Sequence, residues 1–316
     1  MSEQGSINAR PYGIPLDSLQ VALQAGHLLV HREGNSLVGT HEGGLITRIS
    51  VDCPDDFHSE LGAVKAVVSV RTELPSEIGS LIRAPEHLAV FNPMTTLGAL
   101  TNEDGKLILG SRIVVYEEEN AWDLQALLII GAALSGAPTM LNAIHMALNR
   151  QADEPEGTES AWSDDDMDQA RAYLSKFSVC NAGHGGLTAE FSLRDGEFSA
   201  AQGAHRTALW RMMTEQPHPS GAGLFTLLEL PHRISEKPQL ARMLDRLNSI
   251  EMHPGDQPPH IGAWCPGTLG DNPAYVTFLP NFLHSHSGIA VNVSFWAMSR
   301  AQWANGILAS RGIFVE

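Results

Sequence analysis

Two stretches of equal length align with each other without a gap. They are ELPSEIGSLIRAPEHLAVFN (Glu73–Asn92) and ELPHRISEKPQLARMLDRLN (Glu229–Asn248). Both begin with Glu-Leu-Pro and end with Asn, and Ile78 of the first stretch aligns with Ile234 of the second. Matches that keep their order over equal lengths indicate an internal repeat. We therefore predict that the chain consists of two related halves, each with one copy.

The flanks of these stretches support the same alignment. Upstream, GGLITRISVD (43–52) parallels GGLTAEFSLR (185–194), and apolar residues occupy every second position of both, as in a strand with one face on a core. Downstream, Gly-Ala at Gly98 parallels Gly-Ala at Gly262, and each leads into a strand-like segment. The halves align through Gly-Gly-Leu, Glu-Leu-Pro, Asn and Gly-Ala.

Each Glu-Leu-Pro stretch is predicted to leave a strand and enter a helix, because proline has no donor for a strand ladder. In the second copy Pro238 lies in the first helical turn, where its missing N–H costs nothing. Asn248 is expected to end this helix in a left-handed conformation. Pro85 is expected to shorten or kink the helix of the first copy.

The complete pattern predicts the order α-β-β-β-α-β-β-α in each half, which is an α+β fold of two tandem modules with mainly antiparallel sheets. The N-terminal module covers 1–150, an acidic linker covers 151–165, and the C-terminal module covers 166–316. Ser163 is a predicted N-cap at the end of this linker, with three aspartates in the following turn. Hairpin turns are predicted at NEDG (102–105) and at Asp195-Gly196.

Composition predicts a soluble protein with a large core. The chain has 316 residues, 43% of them hydrophobic, and a net charge of −16, which argues against nucleic acid and membrane surfaces as partners. Three cysteines without close spacing indicate a reducing compartment. The start of the chain has no signal-peptide pattern, and the apolar run Ala126–Ala137 is too short to span a bilayer. We expect a cytoplasmic protein.

Catalytic motifs are missing from the sequence. It contains no phosphate-binding P-loop, no HExxH, no GxSxG and no zinc-like spacing of cysteines, so we expect no catalytic residue and no cofactor. The alternative is a histidine-dependent metal enzyme in the C-terminal half, since His284 and His286 share one face if their segment is extended. The other candidate ligands of such a site are His218, His253, His260, Asp256 and Asp271.

A set of aromatic, methionine and arginine residues in the C-terminal half has two interpretations. Helical spacing in the last helix favours core packing, whereas an exposed aromatic and arginine patch is typical of protein-binding surfaces. Methionine suits an adaptable surface as well as a core. The candidate partner-binding residues are Trp210, Met212, Met213, Trp264, Trp296, Arg300 and Trp303.

The helix that ends at Asn92 or Asn248, the strand pair in GALTNEDGKLILGSRIVVYEEENAW (98–122) and the closing helix together resemble the type III secretion chaperone-like fold. That fold is shared by class I secretion chaperones and YbjN-like proteins. The phrases HPSGAGLFTLLELP, FLPN and RAQWA are similar to an uncharacterised bacterial family with two such modules in tandem. Secretion chaperones are much shorter and are not fused pairs.

The resemblance implies a non-enzymatic, chaperone-like or regulatory module that binds a protein or peptide client. Secretion chaperones are acidic dimers that hold an unfolded segment of their client, and a tandem chain would form the pair within one polypeptide. The client of an acidic chain is expected to be basic or amphipathic.

Overall fold

The computed structural model describes residues 15–52, 58–59, 62–116, 121–149, 159–194, 206–253, 258–286 and 288–310. Within these ranges the protein is a mixed α+β structure with two antiparallel sheets, as the sequence predicts. The predicted Asp195-Gly196 turn, the candidate ligand Asp256 and linker residues 151–158 lie outside the described residues.

The first half begins with a helix and continues through strands to a pair of short central helices. A 3-10 turn at Asn92–Met94 follows the central helices, and a π-helical turn at Ala132–Gly136 joins the last two helices. The elements are α1 (Leu16–Ala25), β1 (Leu29–Glu33), β2 (Ser36–Thr40), β3 (Ile46–Asp52), β4 (His58–Ser59), β5 (Gly62–Glu73), α2 (Ser76–Ile82), α3 (Pro85–Phe91), β6 (Ala99–Glu103), β7 (Lys106–Tyr116), α4 (Ala121–Gly131) and α5 (Ala137–Asn149).

The second half follows the same general course with one long central helix. A 3-10 turn at Asn281–Ser285 precedes its last helix. The elements are α6 (Asp164–Leu174), β8 (Val179–Gly183), β9 (Gly186–Ser192), β10 (Thr207–Met213), β11 (Gly223–Glu229), α7 (Lys237–Met252), β12 (Ala263–Pro266), β13 (Pro273–Pro280) and α8 (Ile289–Ser310).

The strands of the two sheets have the same spatial order. The first sheet runs β1-β2-β3-β5-β7-β6, with β4 paired to β5, and the second runs β8-β9-β10-β11-β13-β12. Each half therefore has at least one more strand before its central helix than the sequence predicted. The first Gly-Gly-Leu phrase precedes β3, the third strand of its sheet, whereas the second leads into β9, the second strand of its sheet. The predicted equivalence of these two strands was therefore wrong by one strand.

Of the predictions made for the two Glu-Leu-Pro stretches, the one for Pro85 is confirmed and the one for Asn248 is not. Pro85 is the first residue of α3, and the first copy is split into α2 and α3, which confirms the predicted shortening. Asn248 does not end its helix, because α7 continues to Met252. Asn92 likewise has right-handed backbone angles, with φ −57° and ψ −35°. The predicted left-handed cap is therefore wrong.

The two asparagines instead bind a neighbouring strand segment through the same pair of hydrogen bonds. The Asn92 side chain accepts from the Leu100 N–H at 2.7 Å and donates to the Leu100 carbonyl at 3.3 Å. The Asn248 side chain accepts from the Trp264 N–H at 2.7 Å and donates to the Trp264 carbonyl at 3.0 Å. Both side chains are buried, and each fastens the central helix to the strand that follows it.

The halves share a hydrophobic core. A single cluster of buried side chains contains Leu23 and Ile113 from the first half together with Trp210 and Leu308 from the second. Helix α3 packs against α7, and the backbone of Arg112 in β7 pairs with that of His260, with N···O distances of 2.9 and 2.7 Å. Packing thus joins the two halves into one body.

The helical segment Trp122–Asn149 has the length and hydropathy of a membrane-spanning helix. Within the protein, 56% of its most apolar window is buried, as in the core helix of a soluble protein. The π-helical turn lies in the middle of this segment, where Gly131 closely approaches Phe282 from the other half.

Candidate protein-binding site

The predicted partner-binding residues lie in or against the core. Trp210, Met212, Trp264, Trp296 and Arg300 are buried, because they occupy the inward positions of β10, β12 and α8. The remaining two, Met213 and Trp303, are half-buried and pack against core residues. These seven side chains therefore do not form the exposed patch that partner binding at these residues requires.

Arg300 instead belongs to a fully buried charge cluster. Its Nε donates to both oxygens of the Glu251 carboxylate, at 2.9 and 3.1 Å. His260 contacts the same carboxylate through Nδ1 at 2.5 Å, and the Arg300 guanidinium lies 3.8 Å from the centre of the Tyr275 ring. Burial favours a neutral Glu251, but Arg300 and His260 outweigh it and hold the pKa of this carboxyl below its usual value. Burial also lowers the pKa of His260.

Arg112 brings the first half of the chain into this cluster. Its Nε donates to the Glu251 carbonyl at 2.6 Å, and its Nη2 donates to the Pro258 carbonyl at 2.8 Å. Its side chain is fully buried. The cluster therefore contains buried charges from both halves. It is a buried contact between the halves and not a solvent-accessible active site.

The histidines of the metal hypothesis lie in different environments. His284 contacts the Asp166 carboxylate at 3.1 Å, and His253 contacts the Ser249 carbonyl at 2.8 Å. His218 stacks on Phe278 with ring centroids 3.8 Å apart, and burial lowers its pKa to about 4. His286 does not take part in the contact between His284 and Asp166. His260 lies in the buried cluster, and Asp271 pairs with Arg233. In the described ranges, no three His, Cys, Asp or Glu side chains are arranged to hold a metal.

The outer strand β8 offers a surface of a different kind. It pairs with β9 on one side, and among the described residues no strand lies on its other side. The closing pair of the hairpin is Gly183 and Gly186, so alternate residues direct their backbone groups away from β9. The outward-facing N–H and C=O groups are those of Cys180 and Ala182. The strand has no charged side chain.

Exposed apolar side chains lie beside this open edge. Val179 in β8 is 68% exposed, and Phe177, just before the strand, is 61% exposed. Phe177 makes an edge-to-face contact with Phe295 of α8 at 5.8 Å between ring centroids, and Tyr173 at the end of α6 is also exposed. This group was not predicted from the sequence, because short runs such as VCNAG give only a weak strand signal.

The outer strand β1 of the first sheet has the same topological place but different chemistry. Its sequence, LVHRE, contains charged residues that are held by ion pairs. Arg32 pairs with Asp17 at 3.1 Å, and Glu33 pairs with Arg48 at 2.9 Å. Charged side chains on an edge strand oppose the addition of a further strand. The β1 and β8 edges therefore differ in their capacity to accept a partner.

Comparison of the chain with family models, characterised proteins and solved structures gives no match.

Proposed function

We propose that this protein binds an extended segment of a partner protein, which adds as a further strand to β8. The observation that carries the proposal is the open and uncharged edge of β8 beside exposed aromatic residues. Strand addition obtains affinity from backbone hydrogen bonds and specificity from the side chains on either face. Such a function requires no catalytic group.

The backbone of β8 supplies the hydrogen-bonding part of this interaction. Cys180 and Ala182 together offer two donors and two acceptors along the edge, at the spacing of a strand ladder. Their side chains are half-buried against the core, so the strand is held in place before a partner arrives. A pre-organised edge lowers the ordering cost of binding.

The apolar group at Tyr173, Phe177, Val179 and Phe295 supplies the side-chain part. Aromatic residues contribute large contact areas at protein interfaces for little loss of conformational entropy. A partner segment that pairs with β8 would place its alternate side chains near these rings. An extended segment with alternating apolar residues fits this surface, and the net charge of −16 favours a partner with basic residues.

We also propose that the chain is an internally duplicated pair of type III secretion chaperone-like modules, which form a pseudo-dimer within one cytoplasmic polypeptide. The equal strand order of the two sheets and the matching bonds of Asn92 and Asn248 support this proposal. The packing of α3 against α7 is consistent with a pair of modules joined through equivalent helices. Under this proposal only the second module retains an open client-binding edge.

The test is selection of short random peptides on the full-length protein, followed by measurement of their affinity for two variants. Ala182→Pro removes an outward-facing N–H, whereas Ala182→Ser retains it. We expect the affinity of selected peptides for Ala182→Pro to be lower by about tenfold or more. The hydrogen bond from the Ala182 N–H to the peptide is lost, and the proline ring blocks the edge. Binding to Ala182→Ser should stay within about twofold of wild type.

Hydrogen exchange locates the bound segment independently. The amides of Cys180 and Ala182 should exchange more slowly when peptide is bound. The equivalent position in the first sheet is Arg32 in its outer strand β1, and the exchange rate of the Arg32 amide should not change. Equal affinity of both Ala182 variants, or protection away from β8, would overturn the proposed function.

A further inference from the structure

Pro85 is the first residue of α3, and His253 directly follows the end of α7. The structure brings these two positions to one open cleft of about 760 Å³. The cleft lies where α7 meets the start of α3. Its lining consists of Pro85, Arg242, Asp245, Arg246, Ser249, Ile250 and His253.

Two arginines dominate the chemistry of this cleft. Arg242 and Arg246 are one helical turn apart on α7, so their side chains share one face, and both are exposed. His253 extends the same face toward the end of the helix. Three groups that can be positively charged thus form one stripe beside the cleft.

These arginines differ from most of the other arginines in the described ranges. Arg32, Arg48, Arg171 and Arg233 each pair with a carboxylate, as expected where 36 acidic residues face 20 basic ones. Among the described residues, neither Arg242 nor Arg246 has a carboxylate oxygen within the 4.0 Å of an ion pair. A pair of neighbouring guanidinium groups without an ion pair is suited to bind an external anion.

Asp245 adds an acceptor between the two arginines. Its Oδ1 is buried, and no hydrogen-bond donor for it lies in the described part of the chain. Burial raises the pKa of this carboxyl. A complementary ligand therefore offers a carboxylate to the guanidinium groups and an N–H to Asp245. A negatively charged group with no donor, such as sulfate, would leave Asp245 unsatisfied.

The remaining lining is apolar. Pro85 and Ile250 form a non-polar part of the cleft wall, which can pack against an aliphatic or aromatic side chain. Aligned from Glu73 and Glu229, the positions of Arg242 and Arg246 are held in α3 by Glu86 and Val90. The arginine pair is therefore not part of the shared packing pattern of the two helices.

We infer that this cleft binds an acidic peptide segment of a protein. An Asp or Glu side chain of the segment lies between Arg242 and Arg246, a backbone N–H donates to Asp245, and a neighbouring apolar side chain covers Pro85 and Ile250. The site lies on α7, away from the residues of the β8 edge, and it does not rest on the strand-addition proposal. The two surfaces select opposite charges.

The test uses a pool of short peptides randomised among Asp, Glu, Lys, Ala, Leu, Phe, Gly and Ser, selected on the full-length Ala182→Pro variant so that the β8 edge is blocked. We expect enrichment of peptides with an acidic residue beside an apolar one. Their affinity should fall about tenfold or more in Arg242→Gln/Arg246→Gln, because charged hydrogen bonds to both arginines are lost.

The matched control is Lys237→Gln/Arg194→Gln, which removes the same charge from exposed positions outside the cleft. Its affinity should remain within about twofold of the parent. The inference fails if no acidic peptide is enriched, if both double variants weaken binding equally, or if inorganic sulfate alone saturates the arginines. Loss of β8 binding in the separate Ala182 experiment would leave this result unaffected.

Discussion

Asn92 and Asn248 illustrate how one side chain can connect a helix to a strand. Each amide satisfies both the N–H and the C=O of one residue in the following segment, which would otherwise be buried without partners. An asparagine can do this because its side chain carries a donor and an acceptor at the spacing of a peptide group. The same residue type therefore recurs at both positions for hydrogen bonding rather than for helix termination.

Asn248→Ala should lower the free energy of unfolding by about 2–4 kcal/mol, since it leaves the Trp264 N–H and C=O buried and unpaired. Urea unfolding at neutral pH measures the change. Asn142→Ala, at an exposed position of α5, is the control and should change stability by less than about 0.5 kcal/mol. A similar small effect for Asn248→Ala would contradict the assigned role.

At the scale of the element, local chemistry explains the beginning of α6. The Asp166 carboxylate accepts from the Ser163 N–H at 2.8 Å and from the Ser163 hydroxyl at 2.9 Å, which completes the predicted cap. It also contacts His284 at 3.1 Å. Burial favours the neutral carboxyl, but the bonds from Ser163 and His284 are stronger and lower the pKa of Asp166 below its ordinary value of 3.8.

Asp166→Ala should destabilise the protein by about 1–2 kcal/mol, whereas Asp165→Ala, at the exposed neighbouring position, should have an effect below about 0.5 kcal/mol. Because the folded-state pKa is lowered, the contribution of Asp166 is present at neutral pH and is lost as the pH falls through and below 3.8. Denaturant unfolding of both variants between pH 7 and pH 3 tests the size and the direction. Equal effects of the two substitutions at pH 7 would exclude the cap.

At the scale of the whole molecule, the buried cluster around Glu251 joins the halves. One carboxylate faces Arg300 and His260, while Arg112 arrives from β7 and binds the Glu251 carbonyl. The net contribution of a buried charge cluster to stability is small, but removal of one charged side chain leaves the remaining charges buried without a counter-charge. The halves also share a hydrophobic core, so neither has a complete interior alone.

Glu251→Gln should lower the free energy of unfolding by about 3–5 kcal/mol, because Arg300 then keeps a buried charge without its counter-charge. Glu236→Gln, at the exposed N-cap of the same helix, is the control.

Wild-type unfolding, followed in parallel by tryptophan fluorescence and far-ultraviolet circular dichroism, should give one coincident transition. Two separated transitions would show that the halves unfold independently.

Prediction from sequence succeeded where the determining contacts are local. The turn in NEDG is confirmed, with φ values of 51° at Asp104 and 82° at Gly105, because few residues tolerate that conformation. The break at Pro85 and the cap at Ser163 follow from equally local chemistry. The strand count and the alignment of the two Gly-Gly-Leu strands were wrong, since alternation identifies a strand without identifying its position in the sheet.

The two surfaces proposed for binding depend on contacts that the sequence does not specify. The β8 edge is open because no described strand follows it in the sheet, and neither Arg242 nor Arg246 forms an ion pair with a described carboxylate. Either condition is a statement about the arrangement of distant residues. Neither can be read from the spacing of apolar or charged residues along one helix or strand.

The sequence by itself determined the α+β class, the cap at Ser163, the turn in NEDG and the break at Pro85, together with the recurrence of Glu-Leu-Pro and Asn in the two halves. Backbone preferences and apolar periodicity act within a few residues, so these features need no knowledge of the fold. Only the tertiary structure decided that the tryptophans are core residues, that Glu251 and Arg112 meet across the halves, and which strand edge is open. Those outcomes depend on burial and pairing between segments far apart in the chain, which only packing establishes.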